Sequence, residues 1–190
     1  FVGKLNTNKG YDLFGEAIIK ILNKHTDWQS IVAGDEPRDK IEFKHKRLKV
    51  LGFQDHSKII NLLKKTSISV VCSRWEEPFG RASLEASANG CAVIISNRGG
   101  LPETNPDAVI LKKLDSKHIF YEIDNLIKNK NKRLILQKKS YKNFFLTNKY
   151  VSKLIDEIRK DNLFLPNIHI KKNINKLKII HVTNFNERFN

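Results

Sequence analysis

Two rhythms of apolar residues alternate along this chain. Leu13, Phe14, Ala17, Ile18, Ile21 and Leu22 recur at three- and four-residue spacing, which predicts an amphipathic helix over Tyr11–Lys24. Short apolar and β-branched runs at 30–34, 48–53, 67–73, 91–96 and 108–111 read instead as buried strands, and residues 1–3 read as the end of another. Helical runs are predicted between them at 57–65 and 82–89. Strands and helices that take turns in this way argue for an α/β fold with a doubly wound parallel sheet, Rossmann-like. In the strand order of such a fold the first and fourth strands are neighbours at the switch point, and ligands bind beyond their carboxyl ends. From Ser116 onward the strands stop: Ile119, Ile123, Leu126 and Ile127 mark one helix, with two more predicted at 133–145 and 150–158. Their apolar faces are expected to pack on the sheet and their lysines to face water.

Composition narrows the partners. With 190 residues and 40% hydrophobic positions, one such domain buries an adequate core without disulfides. Cys72 closes one predicted strand and Cys91 opens the next parallel one, so the two thiols lie at opposite ends of the sheet. No bridge is expected between them; they read as reduced core cysteines of a cytoplasmic protein. The six histidines show no ligand spacing, and no metal is expected. Thirty-five basic against 20 acidic residues give a formal charge of +15, with much of the excess between Lys112 and Lys178. Lys, Asn and Ile are all abundant, so many of these lysines read as solvated faces. The other reading is attraction to an anionic membrane surface or an acidic acceptor, through helices such as 138–149. Zinc spacing, an RNA-binding aromatic signature and a recognition helix are all missing, so nucleic acid is not an expected partner.

The chemistry concentrates between Trp75 and Glu103. After the strand at 67–73 a loop begins at Arg74; Pro78 presets a helical φ, Gly80 allows close backbone approach, and the helix that follows stops at Gly90. Free N–H groups at such a helix start, with the positive end of the helix dipole, form an anion site, here near Phe79 and Gly80. Glu77 lies in the loop before that cradle and Glu85 about a turn into the helix. Carboxylates accept hydrogen bonds from hydroxyls, and a sugar nucleotide offers hydroxyls on both sides of its diphosphate. Lys4 and Lys9 follow the first strand and face the same crevice.

This segment resembles the donor-binding motif of retaining glycosyltransferases of the GT-B fold, family 4, also called glycosyl transferases group 1. Glu77 and Glu85 match their E-x7-E pattern. Phe1-Val2-Gly3-Lys4-Leu5 with Lys9-Gly10, then Ile31-Val32-Ala33-Gly34-Asp35, Val50-Leu51-Gly52-Phe53 and Gly99-Gly100-Leu101-Pro102-Glu103 match further motifs in the right order. The similarity covers roughly residues 1 to 160, the C-terminal half of a GT-B fold. It implies that Glu77 contacts the transferred sugar, that Glu85 contacts the nucleotide ribose, and that backbone amides at Phe79 and Gly80 meet the sugar or diphosphate. Lys4, beside Gly3, stands where the family usually has Arg, giving charge without a bidentate fork. Lys9 matches directly. On this resemblance Lys4, Lys9 and Glu77 are the catalytic candidates. Gly3, Lys4, Lys9, Glu77, Phe79, Gly80 and Glu85 form the donor site, and no cofactor is needed beyond a UDP-, GDP- or ADP-sugar substrate.

The resemblance also implies a saccharide or lipid-linked acceptor and an N-terminal GT-B domain outside this sequence, so that the fragment alone binds better than it catalyses. The location it implies is cytoplasmic, at most peripheral on the inner membrane face. The expected organisation is a nucleotide-sugar-binding domain at 1–165, a linker at 166–176 and a strand with tail at 177–190, which resembles the start of a second glycosyltransferase module. Two other classes stay open: a non-catalytic nucleotide-sugar-binding module, and a basic domain that docks on polyanions or membranes.

Overall fold

The computed structural model describes residues 1–161. Phe1–Tyr150 forms one compact unit and a second begins at Val151. In the first, α1 (Tyr11–Lys24) is followed by β1 (Ser30–Val32), β2 (Leu48–Val50), α2 (His56–Leu63), β3 (Ile68–Val71), α3 (Arg81–Ala88) and β4 (Ala92–Ile95). Then come a four-residue helix α4 (Leu101–Thr104), β5 (Val109–Ile110), α5 (Ser116–Lys128) and α6 (Lys130–Lys142). Among the described residues every strand pairing is parallel: β1 with β2, β3 with β4, and β4 with β5. The fold class is the expected one.

Alternation along β4 shows how the layers are built. All four of its residues are buried, and successive side chains point to opposite faces. Ala92 and Ile94 join Phe14, Ile18 and Leu22 of α1 and Ile119, Ile123 and Leu126 of α5 in one core cluster. Val93 and Ile95 join Ile59 and Leu63 of α2, Ala86 of α3 and Leu101 of α4 in the other. A strand covered on both sides reads as a continuous apolar run, and each large aliphatic side chain so buried contributes about 1.5–3 kcal/mol. The α1–α5 contact is also tied by charge. Asp124 of α5 accepts from His25 at 2.7 Å and pairs with Lys24 and Lys128 at 3.0 Å each. Burial would raise the Asp124 pKa, but hydrogen bonds from His25, Lys128 and Lys24 outweigh it and hold the carboxyl well below its usual range.

Two features of the first unit differ from the sequence reading. The strand expected at 1–3 is reduced to a single parallel bridge, Val2 to Ala33, so the hydrogen-bonded sheet is divided into β1-β2 and β3-β4-β5. A cavity of about 370 Å³, lined by polar as well as apolar groups, touches Phe1, Val2, Ile31, Ile68 and Val70 along that line. Helix α3 starts at Arg81, within one residue of the expected 82, and Pro78 stays in the preceding loop, with Gly80 as N-cap at a left-handed φ of 83°. The second difference is that α6 starts three residues early, where the Asn129 side chain accepts from the Lys132 N–H and caps it.

The helix α7 (Asn148–Asp161) lies mainly in the second unit. Val151, Leu154, Ile155 and Ile158 fall along one stripe but are 40–51% exposed, where the sequence reading expects an inward face. The linker at 166–176 and the strand expected at 177–190 lie outside the described residues.

Candidate functional site

Two loops meet at the carboxyl ends of Val2 and β3. The Asn8 carbonyl accepts from the Arg74 N–H at 2.8 Å, the Trp75 N–H at 3.2 Å and the Ser73 hydroxyl at 3.1 Å. Gly10 sits so close to β3's end that a Cβ there would lie 2.0 Å from the Cys72 carbonyl oxygen; no other residue fits that seam. Across it the Arg74 guanidinium forks onto both Asp12 oxygens at 2.6 Å. Burial would raise the Asp12 pKa, yet the Arg74 hydrogen bonds and charge bring it below its ordinary value. The turn over Asn6 fixes the rest of the first loop, with the Lys9 N–H donating to Asn6 Oδ1 at 3.0 Å.

The consequence of that seam is a direct contact between candidates 68 positions apart. Lys9 Nζ donates to Glu77 Oε1 at 2.5 Å, with side chains 32% and 12% exposed respectively. Glu77 is held from below by the Gly99-Gly100 turn. The Gly100 N–H donates to the Glu77 carbonyl at 2.7 Å, and a Cβ on Gly99, whose φ is 51°, would lie 2.2 Å from the same oxygen. Glu76, next door, faces the other way, onto Arg98 at 2.9 Å and the Gly99 N–H. These two bonds lower its pKa, the Arg98 contact most. Phe79 is exposed, and α3 begins after Gly80 with no side chain capping its N-terminus.

Glu85, one turn into α3, uses a single oxygen, Oε1, to meet both Arg81 at 3.3 Å and His56 of α2 at 3.1 Å. Arg81 is thereby committed to an exposed i,i+4 ion pair with Glu85. Lys4 is engaged apart from these contacts: its Nζ is 4.0 Å from Glu36 Oε2. Arg38 grips Glu36 through Nε and Nη2 at 2.8 and 3.0 Å, which with the charge of Lys4 depresses its pKa to about 2. Gly3 links this loop to β1, its N–H donating to the Ala33 carbonyl at 3.0 Å. The structure thus brings Lys9 and Glu77 together, seats Phe79, Gly80 and Glu85 on the same loop and helix, and gives Lys4 a separate carboxylate.

Sequence reasoning missed Glu36 and His56. Glu36 had a signal, an Asp-Glu pair directly after the strand-ending Gly34; His56 had none, since it reaches Glu85 from another helix. Both cysteines are free and buried, and burial pushes each thiol up to about 12. Among the described residues no group of three or more His, Cys, Asp or Glu is placed to hold a metal ion, and no helix is long and apolar enough to cross a membrane.

A Rossmann-like unit of parallel strands, with its polar loops gathered at their carboxyl ends, is the architecture of a GT-B glycosyltransferase domain. The chain belongs to the glycosyl transferases group 1 family, whose model matches residues 1–143. It is similar to the C-terminal domain of the group 1 protein LpcC from Francisella tularensis, with 30% identity and a TM-score of 0.66 over 75% of this chain and 80% of that one. It is also similar to the phosphatidylinositol N-acetylglucosaminyltransferase GPI3 subunit of Saccharomyces cerevisiae, 33% identical over 114 residues. That match covers 56% of this chain and spans 25% of the yeast protein. HepE from Anabaena, solved in complex with UDP-glucose, shares the fold at 20% identity and a TM-score of 0.69, over 84% of this chain and 48% of HepE.

Proposed function

We propose that this chain is the donor-binding domain of a retaining glycosyltransferase of family 4, which transfers a sugar from a UDP-, GDP- or ADP-linked donor to a saccharide or lipid-linked acceptor. The observation that carries this reading is the Lys9–Glu77 contact, which brings a cation and a carboxylate from separate βα loops into one crevice beside the α3 N-terminus. Lys9 neutralises the diphosphate, and first-turn amides of α3 near Phe79 and Gly80 donate to the same anion. As the glycosidic bond to the donor breaks, negative charge grows on the departing phosphate. Each well-placed donor there contributes about 3 kcal/mol. Glu77 accepts from sugar hydroxyls and orients the reacting carbon. The second oxygen of Glu85 is turned to the ribose. Lys4, on the loop that Gly3 starts, adds long-range positive potential while anchored to Glu36.

The acceptor and the groups that complete the reaction come from an N-terminal domain that closes over the donor. The yeast relative, named for a phosphatidylinositol substrate, supports a lipid-linked acceptor and with it a working place at the cytoplasmic membrane face. Calorimetric titration of the 190-residue chain with UDP-glucose, GDP-mannose and ADP-glucose tests the reading. One of them is expected to bind, and Lys9→Ala and Glu85→Ala are each expected to weaken it by about tenfold or more, the worth of a charge-assisted hydrogen bond. Unchanged affinity in both variants overturns the assignment.

A further inference from the structure

The contact that unites the site also sets two of its residues against each other. Lys9 is wanted by the diphosphate and Glu77 by the sugar, yet each is engaged with the other at 2.5 Å. Glu77 is only 12% exposed in its side chain, and among the described residues Lys9 is the one partner of its carboxylate. A carboxylate so far out of water depends on that partner, because a buried charge left unpaired is strongly destabilised. Nor can Glu77 drift away: the Gly100 N–H grips its carbonyl and Gly99 closes on its backbone. What can change is the side-chain rotamer.

Resting on the donor reading above, we infer that Glu77 is a selectivity gate that distinguishes a nucleotide sugar from a bare nucleoside diphosphate. In the free protein its carboxylate stands in for a phosphate and holds Lys9. An arriving diphosphate takes Lys9 and, being anionic, repels the carboxylate. When a sugar is attached, its hydroxyls donate to the displaced Glu77, so the carboxylate exchanges one charge-assisted partner for hydrogen-bond donors. When no sugar is attached, the same displacement leaves Glu77 desolvated, unpaired and beside a phosphate of like charge. The bare diphosphate therefore binds against a penalty that the donor escapes. The same exchange run backwards hastens product release: once the sugar has gone, Glu77 recovers Lys9 and loosens the leaving diphosphate.

The test uses the 190-residue chain and the pairs UDP/UDP-glucose, GDP/GDP-mannose and ADP/ADP-glucose, read by calorimetry. For the pair that binds, Glu77→Gln is expected to tighten the bare diphosphate by about three- to tenfold, the scale of a partly screened ion pair. Affinity for the sugar nucleotide is expected to stay level or fall, so the ratio of the two affinities collapses. Glu76→Gln removes the same charge one residue away, from a carboxylate held by Arg98 and Gly99, and is expected to keep the wild-type ratio. In a Lys9→Ala background the gain from Glu77→Gln is expected to vanish. Should Glu77→Gln fold poorly by circular dichroism, Glu77→Asp, which withdraws the carboxylate by one methylene, must shift the ratio in the same direction. If Glu77→Gln binds the diphosphate as wild type does or more weakly, or if Glu76→Gln tightens it equally, the gate is wrong while the donor reading stands. If the wild-type chain binds none of the three pairs, the donor reading falls and takes the gate with it.

Discussion

Asp124 and Glu77 are both carboxylates largely shielded from water, and they are treated in opposite ways. Asp124 is surrounded by three cationic or protonatable groups, Lys24, His25 and Lys128, which occupy both of its oxygens. Glu77 has Lys9 on one oxygen, and Glu85 likewise concentrates Arg81 and His56 on Oε1 alone. A carboxylate can accept about four hydrogen bonds. One that is saturated by its own protein is a fastener; one with acceptor capacity left over is available to a ligand. Glu36 sits with the fasteners, since Arg38, Asn6 and Lys4 all address it. Degree of saturation, rather than burial, separates Asp124 and Glu36 from Glu77 and Glu85.

The largest expected effect comes from cutting a fastener. Asp124→Ala leaves Lys24, His25 and Lys128 crowded without a counter-charge, and is expected to lower unfolding free energy by about 2 kcal/mol, discounted for the exposure of the two lysines. Thermal or urea denaturation checks this, and donor affinity should not move. The same residue sharpens the contrast through pH. Its folded pKa is depressed, so its stabilisation is complete above the unfolded value of about 4 and is lost as pH falls through the lower folded value. The stability gap between wild type and Asp124→Asn should therefore narrow below about pH 4. A gap that stays constant down to pH 2 would remove the fastener role.

Next in size is Gly99→Ala. A Cβ there meets the Glu77 backbone from a left-handed φ of 51°, a conformation that costs a non-glycine residue about 1–2 kcal/mol. Because the displaced segment carries Glu77, donor affinity should drop by about tenfold along with a fall of a few degrees in melting temperature. An Asp124 variant lowers the melt and leaves donor affinity where it was. Smaller again is His56→Ala, which frees Glu85 from a neighbour on α2; donor affinity should change by about threefold or less, read by calorimetry. Smallest is Arg81→Ala, the loss of an exposed i,i+4 pair worth about 0.3–0.5 kcal/mol, and the one change expected to be silent in a melt.

Much of this site could be read from the chain. Lys9 and Glu77 each follow a predicted strand, and parallel strands deliver the loops at their carboxyl ends to one side of a sheet, so alternation places them on that side but does not specify the contact between them. The partner of Lys4 was not legible in the same way. Which carboxylate a flexible ammonium reaches depends on how the chain turns after Gly34, and nothing in the periodicity of β1 encodes that turn. The division of the sheet at Val2 escaped for a related reason: apolar pattern predicts burial, which Val2 shares in part, but not how many ladder hydrogen bonds a segment makes. The early start of α6 depended on one Asn129 side chain, a capping contact that the lysine-rich sequence around it obscured.

The three bonds converging on Asn8 go to its carbonyl oxygen, while its side chain is left in solvent. The seam between the two loops is thus written in main chain at this position, and mutation of the residue itself spares it. That makes position 8 a convenient handle. A cysteine placed there can carry a fluorophore at the rim of the crevice, next to Lys9 but outside its bonding, and report ligand arrival as a change in emission without disturbing the groups that do the binding.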